Sequence, residues 1–491
     1  MSVRRSLSWA FACQIMTFIV SFGGMMVIAR LLSPIEVGIN AIAVAGLGVV
    51  QIIATMGLTG YIIRDTDLQP ATLDLTFSVN GVLAVILSAL LLVLSMASKP
   101  LLGDVRAGAV LRILALTPLI NVFAFRASAM LQREMRFKAF GLITAGMTIV
   151  STLLTVGLAW VGQSYMSAAY GGVGGAIFGA IAFNLVAPHH ASLRITFQGW
   201  RAVAQFGLQI MSISGLATLA TRLSDLILGR VLGIAALGIY SRASMTSSMI
   251  FENVYGTTTR VAFTKLARDY RETGELRPTF LRAIGLILAF MWPLEIGLAV
   301  LSPPAIYLFY GEKWLGAALP LSLLLIAQAV VLSYGMNWEL FVLRDETAKQ
   351  SRLEFIRTLC GFAIFTIGCQ FGLAGAALGK VGDASTGYFL YRNHVRNLAE
   401  LRGNELGIVF ARSALLTVVA TVPALILMIA YRWDPRTPLP LVTGVVMSGM
   451  MLWLIALVAM RHPLAEEGAR VATRIHPRLG ALLRREHRST Q

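Results

Sequence analysis

Long apolar stretches separated by short charged loops run through almost the whole of this chain. Hydrophobic residues make up 57% of the sequence and charged residues only 13%, with a mean hydropathy of +0.74. A helix of roughly 20 apolar residues crosses the hydrocarbon core of a bilayer with its backbone hydrogen bonds satisfied. The sequence therefore predicts an all-α polytopic membrane protein. About fourteen spans are predicted, at 8–29, 37–62, 74–97, 107–130, 139–161, 165–187, 203–228, 237–259, 283–303, 317–342, 353–371, 373–391, 410–430 and 440–460.

Lysine and arginine residues fall mainly on alternate loops. If the N-terminus is in the cytoplasm, the cytoplasmic loops and tail hold roughly two thirds of the 41 basic residues, as the positive-inside rule requires. Topology and anionic lipid headgroups then explain the net charge of +17, so membrane lipid is a predicted partner and nucleic acid is not. We expect a multi-pass protein of the inner membrane with both termini in the cytoplasm. The basic tail, 462–491, either lies on the inner leaflet or stays solvated.

Motifs for metal, nucleotide or covalent chemistry are not apparent in the sequence. Cys13, Cys360 and Cys369 all fall in predicted spans, and there is no C-x-x-C or H-E-x-x-H pattern. The stretch 374–381 resembles a phosphate-binding loop, but it lacks the first glycine and the final Ser or Thr and lies inside a predicted span. We expect no cofactor, no metal and no enzymatic activity, including ATP hydrolysis.

The chain repeats itself at an offset of about 200 residues. Arg30–Ile39 aligns with Arg230–Ile239, and Gly172–Gly179 aligns with Gly372–Gly379. Each copy holds six predicted spans, an even number, so both copies should enter the membrane in the same direction. This predicts two parallel six-helix lobes around a central cavity. The predicted divisions are an N-terminal lobe at 1–200, a C-terminal lobe at 201–400, two extra helices at 401–461 and the basic cytoplasmic tail at 462–491.

Polar side chains share one face of spans 7 and 8, because they recur at three- and four-residue steps. A charge at the bilayer centre costs about 2.5–3.5 kcal/mol, so these faces should meet a water-filled cavity or a partner. Basic and hydroxyl-bearing residues are the candidates for binding an anionic cargo. They are Arg126, Arg222, Arg242, Ser214, Thr218 and Ser248.

Each basic candidate also has a purely structural interpretation. Arg222 and Asp225, at i and i+3, can form a self-contained ion pair, and Arg126 and Arg242 can extend to the membrane interface. Lys380 and Asp383, one turn apart, are predicted to pair.

Acidic residues within spans are the candidates for ion coupling. Asp225 and Glu252 share the polar faces described above, and Glu295 and Glu339 lie in other spans. Helix packing or an interfacial position is the alternative for the three glutamates.

Several strings resemble one known family. They are Ala29–Pro34 with Gly38, Leu131–Phe137, Leu226–Gly233 followed by Leu237–Ala243, and Leu301–Pro304 with Gly311–Trp314. From the first span to about residue 400 the chain is similar to the polysaccharide transporter (Wzx-type, exopolysaccharide or O-antigen flippase) family of the multidrug/oligosaccharidyl-lipid/polysaccharide exporter superfamily.

The resemblance implies a specific cargo. It implies two six-helix lobes forming a V-shaped cavity that holds basic residues, and a flippase for undecaprenyl-pyrophosphate-linked oligosaccharide repeat units. It places the protein in the bacterial cytoplasmic membrane, in surface polysaccharide, lipopolysaccharide or exopolysaccharide synthesis, with a polysaccharide polymerase and co-polymerase as partners. Guanidinium groups would bind the pyrophosphate bidentately.

Two other classes of protein remain as alternatives. A MATE-like cation or drug antiporter would need acidic residues to dominate the polar faces, but spans 7 and 8 hold two arginines and two acids there. A membrane glycosyltransferase or polymerase would need a large outside loop with catalytic residues, whereas the predicted outside loops are all short.

Overall fold

The computed structural model describes residues 3–52, 57–65, 67–190 and 194–465, and these ranges are helical without any strand. This confirms the all-α fold. Within these ranges the α-helices are α1 (Val3–Leu31), α2 (Pro34–Gln51), α3 (Leu58–Arg64), α4 (Pro70–Met96), α5 (Ser98–Leu102), α6 (Val105–Leu114), α7 (Leu116–Arg133), α8 (Phe137–Trp160), α9 (Ser167–Val186), α10 (Trp200–Val231), α11 (Ile234–Thr273), α12 (Arg277–Val300), α13 (Ser302–Tyr310), α14 (Ala318–Leu332), α15 (Asn337–Leu343), α16 (Thr347–Cys369), α17 (Gly372–Leu398), α18 (Glu405–Ala430) and α19 (Leu439–Ala459). The predicted tail interaction falls largely on 466–491, outside the described residues.

Ten candidate membrane spans are long and apolar enough within the described part of the chain. They coincide with predicted spans 1–6, 9, 10, 13 and 14. The other four predicted spans correspond to α10, α11, α16 and α17, and each of these helices carries charged residues. The total of fourteen and the arrangement of the repeats therefore stay predictions.

Two predicted spans are broken rather than continuous. Span 4 divides into α6 and α7 at Ala115, and span 10 divides into α14 and α15, with Met336 in the left-handed region at φ 58°. The Ser88 hydroxyl donates to the Ala115 carbonyl at 2.6 Å, and the Met336 N–H donates to the Tyr255 hydroxyl at 3.0 Å. A side chain from another helix thus supplies a hydrogen bond at each break, as a membrane interior requires.

Residue contacts divide the chain into two units. Unit 1 comprises Met1–Arg242, Phe309–Trp314 and Cys369–Leu373, and unit 2 comprises Ala243–Leu308, Leu315–Gly368 and Ala374–Gln491. The first change of unit falls inside α11. The lobes at 1–200 and 201–400 were predicted from sequence repetition, which a division by contacts does not test, and they stay a prediction.

In unit 1, small residues allow α8 and α9 to approach closely. A Cβ atom on Gly171 would overlap the Thr155 hydroxyl, and one on Gly175 would lie 2.9 Å from the Ser151 Cβ. A Cβ on Gly179 would lie 2.6 Å from the Met147 sulfur. The GxxxG spacing in α9 is therefore a helix-packing face.

Also in unit 1, the starts of α2 and α11 meet at what we term the glycine crossing. A Cβ atom on Gly38 would overlap the Ile234 carbonyl oxygen, and one on Gly238 would overlap the Pro34 carbonyl oxygen. Both pairs of residues are related by the 200-residue offset of the aligned strings. A capping box orders the first turn of α2, where the Ser33 N–H donates to Glu36 Oε2 at 2.7 Å. The aligned strings thus form a reciprocal backbone contact.

In unit 2, α12 packs against α14, α18 and α19. The Trp292 indole donates to the Ala329 carbonyl of α14 at 2.8 Å. The Trp453 indole of α19 donates to the Ala289 carbonyl of α12 at 2.9 Å. Phe280, buried near the start of α12, belongs to an aromatic core with residues of α15 and α17. Indole donors therefore tie this apolar helix to two of its neighbours.

Candidate functional site

Arg222 lies on α10 with a side chain that is partly exposed. Its side chain is 37% exposed and its Nη1 lies 3.9 Å from Asp225 Oδ2, so the predicted i,i+3 pair is present but loose. The stem crosses Gly48 of α2, where a Cβ atom would overlap Arg222 Nε. This Nε is buried and has no hydrogen-bond partner among the described residues. Arg222 therefore retains donor capacity that a single distant carboxylate does not satisfy.

The hydroxyl candidates are not all in one unit. Thr218 is exposed on α10 and lies four residues, or one turn, before Arg222. This spacing puts the two residues on the same face of the helix, as predicted. The side chain of Ser214 lies outside the described residues. Ser248 is half-buried on α11, in the part of this helix that belongs to unit 2. Within unit 1, the structure thus brings Thr218 to the same helix face as Arg222.

Arg242 is packed against an aromatic residue. It is buried, and its guanidinium carbon lies 5.2 Å from the centroid of the Trp314 ring. Trp314 is itself fully buried, and its indole donates to the Ala29 carbonyl at 2.7 Å. Trp314 belongs to the string Gly311–Trp314 of the family resemblance, but that string did not predict this contact. A cation–π contact of this kind gives Arg242 a structural role, and its binding of cargo stays a prediction.

Arg126 forms a short ion pair that the sequence did not predict. Arg126 Nη1 donates to Asp74 Oδ1 of α4 at 2.6 Å, and only 7% of Arg126 is exposed. Its guanidinium carbon also lies 6.0 Å from the centroid of the Phe77 ring. Arg126 is thus held against α4, and contact with cargo stays a prediction for this residue as well.

A second Arg–Asp pair, Arg106 with Asp104, lies at the start of α6. Arg106 Nη2 lies 2.8 Å from Asp104 Oδ2, and the arginine side chain is half exposed. The hydrogen bonds that Arg106 donates lower the pKa of the Asp104 carboxyl below its usual value. Asp104 is about as buried as Asp74, but Arg106 is far more exposed than Arg126, and this difference makes the pair a control for the pair of Arg126 and Asp74.

The acidic candidates have very different environments. Glu252 is exposed on α11, Glu339 is half-buried in the first turn of α15, and Asp225 is half-buried beside Arg222. Glu295 on α12 is 0% exposed. Neither of its carboxyl oxygens has a hydrogen-bond partner among the described residues. Burial therefore distinguishes Glu295 from the other acids.

A network in unit 2 joins α16 and α17. Arg357 donates to Glu354 at 2.6 Å and to Asp383 at 2.7 Å, and the Tyr391 hydroxyl donates to Glu354 at 2.9 Å. Lys380, predicted as the partner of Asp383, lies 4.0 Å from it. Arg357 is therefore the closer partner. Sequence spacing could show the pair of Glu354 and Arg357 on one helix but not the contact between helices.

Two further arginines bind the ends of helices. Arg133 donates to the carbonyls of Ile62 and Asp65 at the end of α3, and Arg344 Nε donates to the Leu398 carbonyl at the end of α17 at 3.0 Å. Helix C-termini leave carbonyls unsatisfied, and guanidiniums supply matching donors. Arg133 belongs to the string Leu131–Phe137 of the family resemblance. Its partners lie about 70 residues earlier in the chain, and nothing in the sequence predicts that they contact Arg133.

The part of the chain that the structure describes holds no group of three His, Cys, Asp or Glu side chains suited to a metal ion. The stretch 374–381 lies inside α17, as predicted. A Cβ atom on Gly379 would lie 2.8 Å from the Phe365 Cα of α16. This stretch is a helix-packing surface and not a phosphate-binding loop.

Known structures of membrane transporters share this fold. The chain resembles a lipid II flippase MurJ in an inward closed conformation, with a TM-score of 0.73 and 15% identity over 92% of this chain and 98% of that one. It also resembles a multidrug resistance MATE family transporter of the MOP superfamily in an inward-facing conformation. That TM-score is 0.54, with 19% identity over 82% of this chain and 97% of the other. At these identities the likeness shows the fold.

Sequence relatives connect this fold to polysaccharide synthesis. The chain is 24% identical to the lipopolysaccharide biosynthesis protein WzxC of Escherichia coli (strain K12), over 63% of each chain. It is 23% identical to the succinoglycan biosynthesis transport protein ExoT of Rhizobium meliloti (strain 1021), over 67% of each chain. Residues 27–319, more than half of the chain, match the family described as polysaccharide biosynthesis protein. This match confirms the family resemblance predicted from the sequence strings. This multi-span membrane protein belongs to the polysaccharide biosynthesis protein family.

Proposed function

We propose that this protein moves an undecaprenyl-pyrophosphate-linked oligosaccharide repeat unit from the cytoplasmic to the outer leaflet of the bacterial inner membrane. Arg222 carries the proposal, because its side chain is 37% exposed, forms only a loose 3.9 Å pair with Asp225 and lies on a helix that the sequence predicts to span the membrane. The family membership, the transport protein among its relatives and the flippase among its structural neighbours support the same class of activity. The protein acts as a transporter and catalyses no covalent step.

The chemistry of the cargo matches the polar face of α10. A pyrophosphate brings negative charge into the membrane, and a guanidinium offsets the loss of its hydration through bidentate hydrogen bonds. Thr218, with Ser214, offers hydroxyl groups to the sugar, and Ser248 does so from α11. Arg126 and Arg242 are secondary candidates, since each already has a close partner. Asp225 competes with the pyrophosphate for Arg222, and Glu252 is the exposed candidate for ion coupling.

Removing Arg222 should impair transport without preventing insertion into the membrane. Loss of a charge-assisted hydrogen bond costs about 1.5–3 kcal/mol, so we expect polysaccharide export by Arg222→Ala to fall by about tenfold or more. Arg222→Lys should keep part of the activity, because an ammonium retains the charge but lacks the planar fork. The measurement is exported polysaccharide per unit of membrane-inserted protein. Normal export by Arg222→Ala would contradict cargo binding by Arg222 and leave its ion pair with Asp225 as a purely structural feature.

Gly48 offers a second variant that leaves every charge in place. A Cβ atom in Gly48→Ala would overlap Nε and lie 2.6 Å from Cδ of Arg222, so the side chain must move. We expect Gly48→Ala to reduce export in the same direction as Arg222→Ala. Gly172→Ala is the matched control, since nothing lies within 4 Å of the added methyl group. Equal export by both glycine variants would show that the position of Arg222 is unimportant.

The proposed orientation puts both termini and the loop after α11 in the cytoplasm, and the loop after α13 outside. Arg271, in the last turn of α11 next to the first loop, and Lys313, in the second loop, are both exposed. In a variant without Cys13, Cys360 and Cys369, an impermeant maleimide applied to intact cells should label a cysteine at 313 and not at 271. Labelling at 271, or protection at 313 that permeabilisation abolishes, would contradict this topology.

Depletion of the protein tests the function itself. We expect surface polysaccharide to stop while its lipid-linked repeat unit accumulates facing the cytoplasm. Accumulation on the outer face would instead indicate a defect in the polymerase, the proposed partner that acts next. If polysaccharide were unaffected and only resistance to cationic compounds fell, the MATE-like antiporter function would replace this proposal.

A further inference from the structure

Glu295 is an acidic residue buried completely within an apolar helix. It lies in α12, one of the ten candidate membrane spans, and none of its surface is exposed. Neither carboxyl oxygen has a hydrogen-bond partner in the described part of the chain. The structural role of the residue is therefore not that of an ion pair or a helix cap.

The helices packed against this part of α12 bring no charge to Glu295. α14 and α19 contain no titratable residue. α18 has Glu405 and Arg412, both in its first third, and Glu405 pairs with Arg277 at 2.7 Å. α11, α15 and α17 belong to a core that involves the earlier residues Phe280–Met291 of α12. The apolar residues of these three helices thus pack on the part of α12 that precedes Glu295.

α18 presents buried hydroxyls along the face that meets α12. Ser413, Thr417 and Thr421 are spaced by four residues and are all buried. The Thr417 and Thr421 hydroxyls donate to carbonyls of their own helix, which leaves their oxygen lone pairs as acceptors. A Cβ atom on Gly297 would lie 3.7 Å from Thr421 Cγ2, so the two helices meet two residues beyond Glu295. No hydrogen bond joins these hydroxyls to Glu295, because residues two apart in an α-helix, such as Glu295 and Gly297, point in different directions.

The backbone next to Glu295 is also unusual. Pro293 lies inside α12 and cannot donate to the carbonyl four residues earlier. That carbonyl belongs to Ala289, and it accepts the Trp453 indole hydrogen bond instead. A proline within a helix is a common cause of a bend. Glu295 therefore lies half a turn beyond a position where α12 can change its curvature.

An unpaired carboxylate in hydrocarbon is far more costly than the neutral acid, so burial here favours binding of one proton. A neutral carboxyl without a hydrogen bond still destabilises a fold by about 1–3 kcal/mol, so packing alone does not explain an acid at this position. We propose that Glu295 is a proton-binding site that loads and releases one proton in each transport cycle. This inference rests on the proposed function, and the proton is the coupling ion. Loading converts the carboxylate to the neutral acid, and no other reactant is required.

Carbodiimide labelling tests the proton site without requiring transport. Dicyclohexylcarbodiimide reacts with protonated carboxyl groups in apolar surroundings, and mass spectrometry of the purified protein in lipid vesicles locates the adduct. We expect labelling at Glu295 that falls as pH is raised, and no labelling of exposed Glu275. Absence of an adduct at Glu295 at every pH, with its peptide detected, would overturn the proposal, as would labelling that does not change with pH.

Transport in vesicles tests whether the proton is coupled to cargo. The probe is an extracted lipid-diphosphate-linked oligosaccharide, scored by lectin access from outside. With one proton per lipid, a gradient of one pH unit should drive about a tenfold asymmetry in wild type. Glu295→Gln, which mimics the neutral acid, should equilibrate the lipid without asymmetry, whereas Glu275→Gln should behave as wild type.

The two proposals fail in different ways. If wild type moves no lipid at all, the proposed function fails and labelling alone decides whether Glu295 binds a proton. If Glu295→Gln supports the same asymmetry as wild type, the coupling proposal fails while the flippase function stands. If Glu295→Gln does not insert into the membrane, Glu295→Asp replaces it in the vesicle assay. The labelling of the wild-type protein then decides whether Glu295 binds a proton.

Discussion

Gly38→Ala and Gly238→Ala should each destabilise the protein strongly. In either variant the new methyl group overlaps a backbone carbonyl oxygen at the glycine crossing, which cannot move without separating the starts of α2 and α11. Overpacking of this kind costs about 1–3 kcal/mol or more, which exceeds the gain of about 1 kcal/mol from replacing glycine by alanine in a helix. The two substitutions together should cost less than the sum, because one separation of the helices relieves both overlaps.

Thiol exposure on heating provides the measurement. Cys13 and Cys369 are buried and Cys360 is exposed, so a Cys360→Ser background reports unfolding through a maleimide dye. We expect both variants to unfold several degrees below the background protein. Gly256→Ala in α11 is the control, since nothing lies within 4 Å of its added methyl group. If Gly38→Ala unfolded at the same temperature as Gly256→Ala, the close contact at the glycine crossing would be absent.

Arg126→Ala should produce a loss of stability of similar or greater size. It leaves Asp74, whose side chain is 14% exposed, without its 2.6 Å partner. Removing one member of a buried ion pair costs about 3–5 kcal/mol because the remaining charge is uncompensated. The double variant Arg126→Gln/Asp74→Asn removes both charges and should recover most of the stability. The same thiol assay measures both.

The pair of Arg106 and Asp104 is the matched control for this experiment. In Arg106→Ala the Asp104 carboxylate keeps its 2.7 Å hydrogen bond from the backbone N–H of residue 106, and the lost arginine side chain is half exposed, so the cost should be at most about 1 kcal/mol. Equal effects of Arg126→Ala and Arg106→Ala would contradict a buried ion pair. If the double variant folds normally but exports no polysaccharide, Arg126 contacts cargo in addition to Asp74.

Apolar segments and repetition predict the helical class and most helix positions, but not where a helix is interrupted. At the breaks, the Ala115 carbonyl and the Met336 N–H have hydrogen-bond partners in Ser88 and Tyr255, which approach from other helices. Hydropathy averages over such positions because the flanking residues remain apolar. The 200-residue offset, in contrast, identified both glycines of the glycine crossing, since close backbone contact admits no other side chain.

The candidate site was predictable where partners share a helix. Arg222 and Asp225 lie at i and i+3, so spacing alone predicts their pairing. The partner of Arg126 lies 52 residues away and that of Arg242 lies 72 residues away in the chain. No periodicity reports contacts between helices. The burial of Glu295 was equally hidden, because an acid within an apolar segment looks the same in sequence whether it faces lipid, water or another helix.

The assignment of Phe309–Trp314 to unit 1 bears on the order in which the protein is made. Trp314 binds the Ala29 carbonyl and packs on Arg242, and the Tyr310 hydroxyl donates to the Met25 sulfur at 3.9 Å. During translation the N-terminal helices enter the membrane well before these two aromatic residues leave the ribosome. Until then the Ala29 carbonyl and the Arg242 guanidinium lack their aromatic partner. A nascent chain that ends before residue 314 therefore carries an incomplete unit 1, and assembly of this unit must wait for part of the sequence that follows it.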